Sequence, residues 1–177
     1  DRALQEFPRD NHRHGIVHCQ ITRADQLKRM RDLNLVVYAQ SIFLDYDISI
    51  IYDCISDKLA STSYSWKTLL DSGVIVGNGT DCPVELPHAL AGIQCAVTRK
   101  NLKGTLGPYL PEESFSIDEA LKSYTIGGAY TSFEENIKGC IKNGYLADFV
   151  VLANNPLTTD VNKIKDIDVL ETYLAGK

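Results

Sequence analysis

Two residues stand out for both their chemistry and their position: the imidazole of His18 and the carboxylate of Asp81. His18 lies near the end of the apolar run Gly15-Ile16-Val17-His18-Cys19-Gln20, which reads as a strand. Side chains alternate along a strand, so His18 shares a face with Ile16 and His14, and Gly15, Val17 and Cys19 share the other. In an α/β barrel the C-terminal ends of the strands form the rim where catalysis takes place. A neutral imidazole on that rim is a good ligand for Zn²⁺. The competing reading is a histidine satisfied by a backbone carbonyl, and the strand alone leaves both open.

Asp81 follows Val74-Ile75-Val76-Gly77-Asn78-Gly79-Thr80 and precedes Cys82-Pro83. It too falls at the end of an apolar strand. The small residues before it let backbone and ligand approach closely. A carboxylate so placed can bind a metal and accept a proton from metal-bound water. It can equally cap or turn into the helix that follows Pro87.

Other candidates carry less. His12 and His14 neighbour Asp10 and Arg13 and read as solvated or structural. His88 reads as a surface residue in the first turn of a helix. Gly77-x-Gly79 lacks the third glycine of a dinucleotide fingerprint. Asn78-Gly79-Thr80 matches a glycosylation sequon, but at the end of a buried strand the match is accidental. There is no Gly-x-Ser-x-Gly nucleophile motif.

The elements that would position His18 and Asp81 alternate in type. Gly15 to Gln20, Leu35 to Phe43 and Val74 to Gly77 are continuous apolar runs, as in buried parallel strands. Arg23 to Leu33 has helical spacing, with Asp25 in its first turn. Short helices are expected around Ser56 to Ala60 and Tyr64 to Leu70, and a longer one over Leu86 to Arg99. Ser116 with Glu119 forms a capping box for a helix running to about Phe133. Gly139 to Ile141 and Asp148 to Leu152 read as strands around an Asn143-Gly144 turn. Strands alternating with helices mean parallel βαβ units. Three such strands leave two open edges, so further strands are expected to complete the sheet or barrel.

Bulk properties narrow the class. The 177 residues suffice for one domain with a core plus a small appendage. Net charge is −5, with no Lys/Arg block, which argues against nucleic acid or an anionic membrane as partner. No apolar stretch reaches the ~20 residues of a membrane span. The five cysteines (Cys19, Cys54, Cys82, Cys95 and Cys140) are odd in number and irregularly spaced. Reduced thiols in a cytoplasmic protein are the expectation. The chain starts Asp-Arg-Ala without Met, so residue 1 is not expected to be the natural start.

Several motifs together carry a resemblance. Arg13-His14-Gly15-Ile16-Val17-His18-Cys19-Gln20 and Gly79-Thr80-Asp81-Cys82-Pro83-Val84-Glu85 are two. Ile117-Asp118-Glu119-Ala120-Leu121 with Tyr124-Thr125 is a third. The tail Gly139-Cys140-Ile141-Lys142-Asn143-Gly144-Tyr145-Leu146-Ala147-Asp148-Phe149-Val150-Val151-Leu152, followed by Asn155-Pro156, is the fourth. In this order they resemble the amidohydrolase superfamily, and within it the N-substituted formamide deformylase-like branch, over nearly the whole chain. Asp1-Arg2-Ala3 resembles the end of that family's H-x-x-G-D-x-A motif. One departure is Val17, where many relatives carry Glu.

The resemblance implies the C-terminal part of an α/β TIM (β/α)₈ barrel. Strands six to eight would lie within residues 1–135, and a small β-rich tail from the accompanying β-sandwich would occupy residues 136–177. It makes His18 the strand-six metal ligand and Asp81 the strand-eight ligand and general base. The remaining ligands would lie upstream: a His-x-His pair, a bridging acidic or carboxylated residue and the strand-five histidine. The implied chemistry is hydrolysis of a non-peptide C–N bond in a small amide-type substrate. It would use one or two divalent metals, most plausibly Zn²⁺, that bring the pKa of bound water toward about 7. The chain alone, with two of the ligands, is expected to bind metal poorly and to be inactive. A homo-oligomer or the missing N-terminal part would cover the open edges. The alternatives are a non-catalytic barrel of the same ancestry used for binding or assembly, and a flavodoxin-like phosphate-binding module. The latter requires a glycine-rich strand-to-helix turn that is not found.

Overall fold

β-Branched residues in Leu35-Val36-Val37-Tyr38-Ala39 and Val74-Ile75-Val76 favour extended backbone, and these runs give the central strand and one edge strand of a three-stranded parallel sheet. The computed structural model describes residues 2–177. Asp1, the first residue of the Asp-Arg-Ala motif, lies outside the described residues. Helix α1 (Arg2–Glu6) precedes β1 (Gly15–Val17), α2 (Ala24–Asp32) and β2 (Val36–Ala39). Four short helices, α3 (Leu44–Asp47), α4 (Ile51–Cys54), α5 (Asp57–Ala60) and α6 (Trp66–Asp71), lead to β3 (Val76–Asn78). Then come α7 (Ala89–Thr98), α8 (Ile117–Tyr124), α9 (Ile126–Thr131), β4 (Phe149–Leu152) and β5 (Val169–Tyr173).

The sheet order is β1-β2-β3, all parallel, with Val17 opposite Tyr38 and Tyr38 opposite Gly77. Helical crossovers join the strands, as parallel pairing demands. Central β2 buries Val36, Val37 and Ala39, whereas every residue of β1 is exposed. Among the described residues the outer edge of β1 has no partner strand. Val37, Val76, Leu44, Trp66, Leu69 and Ile93 belong to one continuous core. The predicted capping box is present: Ser116 Oγ accepts from Glu119 N at 3.2 Å, and Ser116 N donates to Glu119 Oε2 at 2.8 Å. Among the described residues no helix is long and apolar enough to cross a membrane.

The third strand is shifted to Val76–Asn78 and the helix after Pro87 starts at Ala89, and four further departures from the sequence-based expectation have a cause in the structure. The first strand stops at Val17, because His18 (φ +64°) and Cys19 (φ +50°) turn left-handed. That turn buries the Cys19 thiol beside Met30 Sδ. The second strand stops at Ala39, because Asn78 Oδ1 captures the Ser41 N–H and Ser41–Phe43 winds into a 3₁₀ turn. The helix expected from Ser116 to Phe133 breaks at Thr125 (φ −118°, ψ −93°). α9 then packs so close to β3 that a Cβ at Gly127 would sit 2.4 Å from the Val76 carbonyl oxygen.

The fourth difference is the expected Asn143-Gly144 hairpin. A turn does form there, with Tyr145 N donating to Lys142 O, but Gly139 to Ile141 is not a strand. β4 pairs antiparallel with β5 instead. That partner, Val169-Leu170-Glu171-Thr172-Tyr173, lies beyond a 3₁₀ segment that buries Ile164 and carries a Lys165 N–H bonded to Gln94 Oε1 of α7 at 3.0 Å. Anchoring on α7 brings β5 back to β4, an arrangement that local turn chemistry does not encode.

Candidate functional site

His18 and Asp81 both lie just past the C-terminal ends of parallel strands, His18 after β1 and Asp81 three residues after β3. β2 runs between them, so the two strand ends stand roughly 10 Å apart, twice the strand spacing. The pair thus shares one end of one sheet.

His18 is held from several sides. Its N–H donates to Tyr38 O at 2.9 Å, continuing the ladder one residue past β1. Its carbonyl accepts from the Trp66 indole Nε1 at 3.1 Å. Histidine is among the residues that tolerate a left-handed backbone, and these two bonds fix it there. The ring stacks on Phe43 with centroids 5.8 Å apart, and Nδ1 lies 2.8 Å from Gln40 Oε1. Nε2 makes no hydrogen bond among the described residues.

Asp81 is also left-handed, with φ +57°, and exposed. Its carbonyl accepts from Val84 N at 2.8 Å in a tight turn. Its carboxylate has no hydrogen-bond or ion-pair partner among the described residues. It does not cap α7. That role belongs to His88, whose Nδ1 accepts from Ala91 N at 3.4 Å. His12 Nε2 lies 2.9 Å from Leu33 O, and His14 stacks on His12, in keeping with a structural role for both.

Two amides at the strand ends escaped the reading of the sequence. Gln40 is buried beside His18, and Asn78 ties the end of β3 to the end of β2. The signal was available: each is a lone amide in an otherwise apolar run. Gln40, Asn78 and Gly79 help line a cavity of about 140 Å³ at this end of the sheet. A larger concavity, about 600 Å³, lies between α7, α8 and the β4–β5 hairpin, and neither His18 nor Asp81 lines it.

Beyond Cys19 a polar cluster braces the loop. Gln20 Nε2 and the Tyr64 hydroxyl both donate to Asp47 Oδ2, at 2.8 and 2.7 Å. Burial, and next the Asp47 carboxylate, push the Tyr64 phenol well above its ordinary value, so it stays a donor. Tyr64 packs edge-on against Trp66. Arg99 Nη1 donates to Tyr64 O and its Nε to Tyr109 O. Burial brings the Arg99 guanidinium down to about 10, still charged at neutral pH.

An imidazole nitrogen and a carboxylate oxygen are the donor types that zinc takes, and His18 Nε2 and the Asp81 carboxylate make no hydrogen bond among the described residues. In that respect they fit a metal. No three His, Cys, Asp or Glu side chains cluster as a complete metal site among the described residues.

A family model described as the amidohydrolase family matches residues 1–177. The chain belongs to the amidohydrolase family. This amidohydrolase chain is 31% identical over 177 residues to YtcJ of Bacillus subtilis, a protein named as an amidohydrolase, covering 99% of this chain and 34% of YtcJ. It is 32% identical over 110 residues to the N-substituted formamide deformylase of Arthrobacter pascens, covering 62% of this chain and 20% of the deformylase. In three dimensions it superposes on a metal-dependent hydrolase from Pyrococcus horikoshii with a TM-score of 0.77 and 27% identity, covering 90% of this chain and 32% of the hydrolase. The amidohydrolase chain thus spans about a third or less of the length of these relatives. The resemblance read from the motifs, down to a formamide deformylase among the relatives, agrees with these findings.

Proposed function

We propose that this chain supplies strands six to eight of a catalytic (β/α)₈ barrel in a metal-dependent hydrolase of non-peptide C–N bonds. Residues 1–135 are its barrel part, and residues 136–177 belong to a small β-sandwich. One observation carries the reading. A histidine whose Nε2 and an aspartate whose carboxylate make no hydrogen bond among the described residues stand past the same ends of parallel strands in a chain of the amidohydrolase family.

His18 would hold a divalent metal through Nε2, and Asp81 would hold it through its carboxylate. A zinc ion held there would supply Lewis acidity toward the substrate carbonyl and toward bound water. Asp81 would take a proton from the attacking water and return it to the departing nitrogen. Gln40 and Phe43 keep the His18 ring from rotating. The remaining ligands come from parts of the barrel that this chain does not contain. The two-ligand chain by itself binds metal weakly and is inactive, because a catalytic zinc takes three protein ligands. Five unpaired cysteines favour a reducing, cytoplasmic setting, and the substrate is a small amide-type molecule.

The test is metal content and amide hydrolysis by the full-length protein. His18→Ala and Asp81→Ala are each expected to lower bound zinc and to abolish hydrolysis of N-substituted amides. A full-length protein with neither zinc nor hydrolysis points to the non-catalytic alternative.

A further inference from the structure

Side-chain amides join the three strand ends: one joint falls on His18 and the other on the backbone that leads to Asp81. Gln40, only 7% exposed, turns its Oε1 toward His18 Nδ1 at 2.8 Å. An amide oxygen accepts and does not donate. Nδ1 therefore carries the ring hydrogen, and Nε2 keeps its lone pair. One strand further, Asn78 Oδ1 accepts from Ser41 N at 3.0 Å and from Gly79 N at 3.1 Å, and Asn78 Nδ2 donates to Ser41 Oγ at 2.6 Å. Ser41 adjoins Gln40, and Gly79 opens the loop that carries Asp81.

We propose that Gln40 and Asn78 are positioning residues, an amide relay that fixes the tautomer of His18 and the loop of Asp81 so that both present lone pairs to one shared ligand. The assignment rests on His18 and Asp81 being metal ligands, as above. Apolar strand ends gain nothing from a buried amide unless its polar atoms are paired. Here the pairing partners are the ring of one candidate ligand and the backbone leading to the other. Relays of this kind set which nitrogen of a ligating histidine is free.

The test uses the full-length protein, labelled with ¹⁵N-histidine, stripped of metal and held about two pH units above the ordinary histidine value. The His18 signals are identified by their loss in His18→Gln. The expected spectrum has a protonated Nδ1 and a bare Nε2, whereas a protonated Nε2 overturns the proposal. This contact is read in the unsubstituted protein, so it survives a variant that fails to fold. Zinc dissociation constants are then measured by competition with a chelator. Gln40→Leu is expected to lose the tautomer preference and to weaken zinc about 10–100-fold, and Gln40→Glu, which keeps an acceptor, to restore both. Asn78→Leu is expected to weaken zinc over the same range and Asn78→Asp to restore it. Native zinc affinity in Gln40→Leu or Asn78→Leu, or no rescue by the acceptor-keeping variants, overturns the relay. Unchanged affinity in His18→Gln overturns the metal reading instead.

Discussion

Trp66 donates its indole N–H to the carbonyl of His18 at 3.1 Å, across 48 positions of sequence. Trp66 is 1% exposed and lies in the core, so this bond ties the left-handed His18 backbone to the buried core. Trp66→Phe keeps most of the packing and leaves the carbonyl unpaired, at an expected cost of about 1–3 kcal/mol. Trp66→Ala adds a cavity, for about 3–5 kcal/mol. Denaturant unfolding measures both. Equal midpoints for Phe and Trp would show that the bond contributes nothing.

Glycines 127 and 128 make opposite predictions. A Cβ at Gly127 would lie 2.4 Å from Val76 O and 3.1 Å from Lys122 O, both backbone atoms that cannot step aside. Gly127→Ala is expected to destabilise by about 1–3 kcal/mol. Gly128, one residue on in α9, has nothing within 4 Å of its Cβ position. Gly128→Ala is expected to stabilise by up to about 1 kcal/mol through helix propensity. Thermal unfolding of the two variants should bracket the parent.

The parallel sheet, and the position of His18 and Asp81 past its strand ends, were legible because their signals are local. Val36, Val37 and Val76 are β-branched and apolar, and His18 and Asp81 are the polar residues that follow such runs. What was not legible depends on distant partners. The left-handed turn at His18 is held by Trp66 and Tyr38. The break at Thr125 follows the approach of α9 to Val76. The pairing of β4 with β5 depends on the anchoring of Ile164 and Lys165 on α7. Asn78 was read only as part of an accidental sequon, since its partner Ser41 lies on another strand.

Arg13 grips Glu135 through two bonds, at 2.8 and 2.5 Å, while sandwiched between the rings of Tyr130 and Phe133. The Arg13 hydrogen bonds hold the Glu135 carboxyl below its ordinary value. A depressed folded value means this stabilisation is fully present above the ordinary glutamate pKa and is lost as pH falls through the lowered one. Stability should therefore drop on acidification below the ordinary glutamate range. Glu135→Gln should flatten that part of the profile. Identical acid limbs for the two proteins would remove the pair from the account.

The five thiols divide by burial. Cys54, Cys82 and Cys140 are exposed, and Cys19 and Cys95 are buried. Burial pushes the Cys19 thiol up to about 11 and raises Cys95 as well, which suppresses the reactive thiolate. A thiol reagent at neutral pH should modify three cysteines quickly and the other two only on unfolding. Mass spectrometry of the labelled peptides reads the assignment.

The most direct measurement is a crystal structure of the zinc-loaded full-length protein, with the metal located by its anomalous scattering. Zinc is expected about 2.0–2.1 Å from His18 Nε2 and about 2.0–2.2 Å from an Asp81 carboxylate oxygen. A zinc bound elsewhere, with the His18 ring and the Asp81 carboxylate directed into separate spaces, would contradict the account.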